Sequence, residues 1–232
     1  MSQTTLYLLP TPLSEDNVVA QTPAYNISII NSCDYFIVEE LKTARRFLRA
    51  LDKNFDIDSR TFVELNEHTA PQEVVEIFKP LQSKNAVLMS EAGCPGVADP
   101  GAAIVQMAHK NNVNVVPLIG PSSILMAVMS AGLNGQNFAF NGYLPKEKAA
   151  AVQKIKSLEK LASQQSQWFI ETPYRNIQLF DELLATLSGD TKLCVAANIN
   201  SSSGFIKTKT VSDWKKSKPE INKIPCVFGI GR

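Results

Sequence analysis

Ser90-Glu91-Ala92-Gly93-Cys94-Pro95-Gly96-Val97-Ala98-Asp99-Pro100-Gly101 decides the fold class of this chain. It follows the apolar run Ala86-Val87-Leu88-Met89, so Ala86–Ser90 reads as a short buried strand that empties into a loop rich in Gly and Pro. A helix over 100–111 comes next. Asp99 is placed to cap it, Pro100 suits its first turn, and Ile104, Val105 and Ala108 form an apolar stripe. Strand, loop and helix in that order are the unit of α/β layering.

The same unit recurs on both sides. Thr4–Leu9, Tyr35–Val38, Thr61–Leu65 and Val113–Pro117 read as strands, with helical patterns at 41–52 and 71–82. Residues 14–32 are ambiguous, because Pro23 interrupts any helix there. Beyond Pro121 a helix of small residues runs toward Gly132, followed by a strand at Phe138–Asn141 and a helix at 146–163. A strand at Gln167–Glu171 and an amphipathic helix at Asn176–Leu187 come next. Leu193–Asn198, Phe205–Val211 and Cys226–Ile230 then follow as strands without intervening helices, which predicts antiparallel pairing and a largely β end.

The 232 residues are 44% hydrophobic and 19% charged, and net charge is +1, so no global field selects a nucleic acid or a membrane. The charge is divided unevenly. Residues 1–118 hold 9 Lys/Arg and 14 Asp/Glu, whereas residues 119–232 hold 14 Lys/Arg and 8 Asp/Glu. This switch, with the turn residues Gly120 and Pro121, sets an expected boundary near 118: a 1–118 α/β domain and a 119–232 α/β domain. Cys33, Cys94, Cys194 and Cys226 form no C-x-x-C, and with His68 and His109 as the two histidines they make no zinc pattern and no secreted disulfide framework. The N-terminal MSQTTLYLLPTP lacks a basic stretch and a long apolar run, so a cytoplasmic location is expected. Asn111 to Pro145 carries no charge and is long enough to span a bilayer. Pro117, Gly120, Pro121 and Gly132 interrupt it, which reads as strand, loop and helix in a core.

Three strand ends enter loops of small residues: Leu8-Leu9-Pro10-Thr11-Pro12, the stretch from Ser90 to Gly101, and Pro117-Leu118-Ile119-Gly120-Pro121-Ser122-Ser123. In an open α/β sheet, ligands sit beyond the carboxyl ends of the strands, and Gly lets main chain approach them closely. No G-x-G-x-x-G follows a strand, there is no P-loop, and no G-x-S-x-G elbow is present. The residues alone therefore describe an α/β protein with a ligand site lined by main chain.

Taken together, Leu6-Tyr7-Leu8-Leu9-Pro10-Thr11-Pro12, Ser90-Glu91-Ala92-Gly93-Cys94-Pro95 with Asp99-Pro100-Gly101, Val115 to Ser123, Ser130-Ala131-Gly132-Leu133, Gly142-Tyr143-Leu144-Pro145 and Glu171-Thr172-Pro173-Tyr174-Arg175 resemble the tetrapyrrole methylase superfamily of S-adenosylmethionine-dependent methyltransferases. The branch that 2′-O-methylates a cytidine of 16S ribosomal RNA is the nearest likeness. The resemblance implies two α/β domains with the cofactor cleft between them, often in a homodimer. It implies that Pro10, Ser90, Gly93, Cys94 and Val97 line S-adenosylmethionine, with Ser122 and Ser123 beside it, and that Ile170, Ala196 and the Pro225 strand close over the adenosine. Cys94 stands where many members carry an acid.

The chain departs from the RNA branch elsewhere. Leu13-Ser14-Glu15-Asp16 replaces Gly-Asn-Leu, Glu39-Glu40-Leu41-Lys42 replaces Glu-Asp-Thr-Arg, Glu67-His68-Thr69 approximates Asp-His-Asn, and Ala197-Asn198-Ile199-Asn200-Ser201 replaces Arg-Glu-Leu-Thr-Lys. A hydroxyl acceptor benefits from a general base, for which Glu40 and His68 are the candidates, and Arg175 could hold a phosphate. The competing readings are structural. Glu39 and Glu40 suit a helix start, His68 a surface loop, and Arg175 a pair with Glu171. His109 reads as a solvated helix end, and Trp168 and Trp214 as core and surface packing. Three functions follow: a methyltransferase acting on RNA through Lys146, Lys148, Lys207, Lys209, Lys215, Lys216 and Lys218; a methyltransferase of a small molecule such as a tetrapyrrole; or a silent cofactor-binding regulator.

Overall fold

The structure, a computed structural model, describes residues 3–232. Its chain divides into two compact units between Ser122 and Ser123. Residues 119–122 lie past the charge switch yet stay on the first unit. Asn26 Nδ2 donates to the Ile119 carbonyl at 2.8 Å, and Cys94 Sγ donates to the Pro121 carbonyl at 3.5 Å.

The first unit contains β1 (Thr5–Leu9), α1 (Ala24–Ser32), β2 (Tyr35–Val38), α2 (Leu41–Leu51), β3 (Thr61–Glu64), α3 (Pro71–Phe78), β4 (Ala86–Met89), α4 (Ala102–Lys110) and β5 (Asn114–Pro117). All strand pairs are parallel, in the order β3-β2-β4-β1-β5. Both β2 and β4 are buried at every position, which explains their unbroken apolar sequence: helices cover both faces of a parallel sheet. Alternate side chains enter two separate cores. Leu9, Phe36, Val38, Val87 and Met89 pack with Ile30, Phe47 and Leu48 of α1 and α2. Leu6, Tyr35, Ile37, Ala86 and Leu88 pack with Phe78 of α3 and Ile104 and Ala108 of α4. The chain thus leaves β1 toward one face and β4 toward the other, although β1 and β4 are neighbours. That places the topological switch point between their carboxyl ends.

Several local expectations need correction. Helix α1 begins only after Pro23, so 14–22 is turn and loop. Helix α3 stops at Phe78 and tightens into a 3₁₀ turn over Lys79–Gln82, where Pro80 has no N–H to continue an α-helix. Asp99 does not cap α4. Its Oδ1 accepts from the Gly96 and Gly101 amides, both at 2.7 Å, so it braces the preceding loop instead.

The second unit contains α5 (Ser123–Ser130), β6 (Phe138–Tyr143), α6 (Lys148–Leu161), β7 (Ser166–Glu171), α7 (Asn176–Thr186), β8 (Lys192–Ala197), β9 (Phe205–Thr210), α8 (Val211–Lys216) and β10 (Cys226–Gly231). Its sheet order is β6-β7-β10-β8-β9. The β6–β7 pair is parallel and the other pairs are antiparallel. Helix α8 interrupts the expected run of strands. Thr210 caps it, accepting from the Asp213 amide at 3.2 Å, and it buries Val211 and Trp214. Trp214 is therefore core, not surface, and its indole N–H donates to the Leu193 carbonyl at 2.8 Å.

One face of this sheet packs on α6, α7 and α8 through Phe169, Val195 and Phe228, together with Ile155, Leu183 and Trp214. The other packs on Ala127, Val128 and Ala131 of α5 and its C-terminal turn. On that second face the Trp168 ring lies over Gly229, where an added Cβ would stand 2.5 Å from the ring. Trp168 has no exposed surface and its N–H is bound to Ser166 Oγ at 2.9 Å, so it has nowhere to yield. Gly229→Ala is expected to destabilise the protein by about 1–3 kcal/mol. The lowered midpoint of urea unfolding, at unchanged slope, checks it.

Candidate active site

The three strand-end loops are tied together at the β1/β4 switch point. Thr11 and Gly93 exchange main-chain hydrogen bonds of 2.9 and 3.0 Å. Thr11 Oγ1 donates to the Ser90 carbonyl at 3.1 Å, and Ser90 Oγ to the Gly93 carbonyl at 3.2 Å. The third loop joins through Cys94, whose thiol also shares a hydrogen bond with Ser122. Gly120 rests on Pro10 so closely that an added Cβ would stand 2.5 Å from the proline Cβ. Pro10, Ser90, Gly93, Cys94 and Ser122 are thus one cluster within the first unit. Gly93 and Gly96 hold φ of 79° and 82°, a region that side-chain-bearing residues avoid, and nothing lies within 4 Å of where a Gly96 Cβ would stand. Beside Gly96, Val97 is 48% exposed. The result is a loop that offers bare main chain along its open side.

Ser123, Ile170, Ala196 and Pro225 belong to the second unit. Ser123 opens α5. Ile170 and Ala196 flank Val227 in one row across β7, β10 and β8, on the face that α5 covers. The Pro225 carbonyl accepts from the Asn198 amide at 2.9 Å, continuing the pairing beyond β10.

Carboxylates gather along the carboxyl edge of the first sheet. Glu39 leaves the end of β2 and accepts from the Glu91 amide at 2.9 Å. Burial pushes its pKa above the usual carboxylate range, and the charges of Asp99, Glu91 and Glu67 push the same way. Burial likewise raises Asp99, against the two amides it accepts from. Burial raises the Cys94 thiol too, which keeps it a neutral donor to the Pro121 carbonyl.

The expected catalytic side chains have other engagements. Glu40 is the N-cap of α2, accepting from Thr43 Oγ1 at 2.6 Å and from the Thr43 amide. These bonds hold its carboxyl below the usual range and engage it in the helix start, the structural role the sequence also offered. His68 has an 85% exposed side chain, 3.6 Å from Glu67, in a short turn where its amide donates to Asn66 Oδ1 at 3.0 Å. Arg175 Nη2 lies 3.3 Å from Glu171 Oε2, so the guanidinium balances a carboxylate that is only 4% exposed. Of the lysines expected to face RNA, Lys216 pairs with Asp213, Lys218 with Asp181, and Lys209 sits over the Trp214 ring. In the sequence Glu39 reads only as a helix-start residue, although it comes directly after the four apolar residues of β2, at the carboxyl edge of the sheet.

A cavity of about 320 Å³ adjoins the cluster, lined by Thr11, Leu13, Phe47 and Ala92 among others, with Arg46 and Glu15 joined at 2.9 Å. No helix among the described residues is long and apolar enough to cross a membrane. The uncharged stretch from Asn111 to Pro145 is β5, α5 and β6, as its breaks predict.

The chain has a fold of two α/β units, each built on one five-stranded sheet. Two solved structures share it: the methyltransferase CobJ, with a TM-score of 0.65, 12% identity and coverage of 100% of this chain and 95% of that one, and diphthine synthase, with a TM-score of 0.65, 17% identity and coverage of 98% and 90%. The family model Tetrapyrrole (Corrin/Porphyrin) Methylases matches residues 26–203, and the chain belongs to that family. It is 29% identical over 195 residues to the ribosomal RNA small subunit methyltransferase I of Vibrio cholerae and 28% identical over 197 residues to that of Escherichia coli O157:H7. Each alignment covers 84% of this chain but only 64% and 65% of the respective relative.

Proposed function

We propose that the chain is an S-adenosylmethionine-dependent methyltransferase whose acceptor is ribosomal RNA. The observation that carries this reading is the convergence of the loops after β1, β4 and β5 on the switch point, through the Thr11–Gly93 bridge and the Gly120–Pro10 contact. The residues suit that cofactor. Gly96, at positive φ with nothing within 4 Å of where a Cβ would stand, leaves the main chain open to it, and the carboxylates of Glu39, Glu91 and Asp99 favour a cationic sulfonium nearby. When bound, it supplies a methyl group already activated for attack by a nucleophile.

The work left to the protein is positioning, exclusion of water and removal of a proton. Pro10, Ser90, Gly93, Cys94, Val97 and Ser122 hold the cofactor from the first unit, and Ser123, Ile170, Ala196 and Pro225 act from the second. Glu39 is the general base, standing at the carboxyl end of β2 and bonded to the Glu91 amide of the loop after β4, and its raised pKa suits it to hold a proton taken from a ribose hydroxyl. Arg175 keeps Glu171 neutralised and orients the acceptor phosphate. RNA as acceptor draws support from the relatives' own names, as small-subunit ribosomal RNA methyltransferases. A cytoplasmic homodimer completes the reading, and light scattering checks the dimer. Transfer of labelled methyl from S-adenosylmethionine to small-subunit ribosomal RNA tests the activity. Transfer to a tetrapyrrole acid alone, or to nothing, would defeat the RNA assignment.

A further inference from the structure

Helix α2 carries Lys42, Arg45, Arg46 and Arg49 and no acid, and Lys53 follows just beyond its end. These five supply most of the 9 Lys/Arg in the acidic first half, and all five are exposed. Helix stability does not explain them. Lys42 stands in the first turn, where the helix dipole disfavours a cation. The pairs Lys42/Arg46 and Arg45/Arg49 set like charges four residues apart on the helix. Among the described residues only Arg46 of this group is in an ion pair, with Glu15, while Arg45 lies over the Phe62 ring.

The same helix walls the cavity of about 320 Å³ with Thr43, Arg46, Phe47 and Ala50, opposite the loop after β1. That cavity shares Thr11, Glu91 and Ala92 with the two loops joined at the switch point. Its volume is at the lower end of those that take small organic groups, and its lining is largely apolar, as a base requires. The Arg46–Glu15 pair beside it is exposed at 57% and 77%, so it is weakly held, and a phosphate can replace Glu15 on the guanidinium.

We propose that the α2 stripe and this cavity form the docking surface for single-stranded RNA, with phosphodiesters on Arg46 and Arg49 and a nucleoside in the cavity. The inference rests on the RNA reading above, but its test needs no methyl transfer. Binding of small-subunit ribosomal RNA is measured against salt for the full chain, for Arg46→Ala with Arg49→Ala, and for Lys207→Ala with Lys215→Ala as an equal loss of charge on the second unit. The α2 double variant is expected to bind about tenfold more weakly at 0.1 M salt and to flatten the slope of log K against log salt by about 2. The control pair should change affinity less than twofold. S-Adenosylmethionine affinity and the thermal midpoint should be unaltered in both, and Arg46→Lys with Arg49→Lys should restore the slope. Equal losses in the two double variants, or an unchanged slope in the α2 variant, would overturn the proposal. So would displacement of the RNA by polyglutamate at matched charge, which would point to an acidic protein partner. Loss of cofactor binding in the unaltered protein would count against the functional reading and leave the RNA result standing.

Discussion

Gly93→Trp is expected to abolish binding of S-adenosylmethionine while leaving the first unit folded. Gly93 lies at the centre of the three-loop cluster, hydrogen-bonded in both directions to Thr11, with φ of 79°. A Cβ there meets Leu13 Cδ2 at 3.4 Å and the Pro121 carbonyl at 3.8 Å, so an indole at this buried position crowds the loops assigned to the cofactor. The backbone conformation costs a residue with a side chain about 1–2 kcal/mol, a moderate loss for a domain of this size. Cofactor affinity should fall by more than about 100-fold, roughly 2.8 kcal/mol. Equilibrium dialysis with labelled cofactor reads the loss, and a thermal melt confirms that the variant is folded. A folded variant with unchanged affinity would move the cofactor away from these loops.

Glu39→Gln separates chemistry from stability. As the base, Glu39 should contribute on the order of 10²-fold to kcat, so the variant loses that factor, while the lost charge weakens binding of the sulfonium cofactor far less, by no more than about tenfold. The unaltered enzyme should lose activity as pH falls through the raised pKa of Glu39, and the variant should lack that limb. Stability should move the other way. A carboxyl whose pKa is raised by folding contributes stability that is complete at low pH and is lost as pH rises through the folded value. At pH 7 the unaltered protein carries that penalty, whereas the Gln carbonyl still accepts from the Glu91 amide without charge. The variant should melt higher at pH 7, with the difference vanishing at about pH 3, below the unfolded pKa of about 4.3, where the carboxyl is protonated in both states. A variant with full kcat would remove Glu39 from the reaction.

How much of this was legible follows from where each signal resides. The strands of the first sheet were plain because both faces are buried: β2 and β4 read as unbroken apolar runs. The strand order was not in the sequence, and only that order makes β1 and β4 neighbours and brings Thr11 to Gly93. Helix α8 was hidden because Phe205 to Val211 continues the period of a strand, and a single turn with Val211 and Trp214 is too short for a helical pattern. The spacing of Thr210 and Asp213 was its one local sign. For Glu40 the sequence left two roles, since a carboxylate before a helix suits a cap and a base equally, and its bonds to Thr43 show the cap. The basic stripe of α2 was averaged away when charge was summed over the acidic first half.

Calorimetric titration of the purified chain with S-adenosylmethionine and with S-adenosylhomocysteine tests the central claim most directly. A site built from the loops after β1, β4 and β5 predicts one cofactor per chain, with Kd on the order of micromolar for both ligands. The absence of binding heat for either ligand, across several temperatures, would contradict the methyltransferase assignment and leave the family fold in another use.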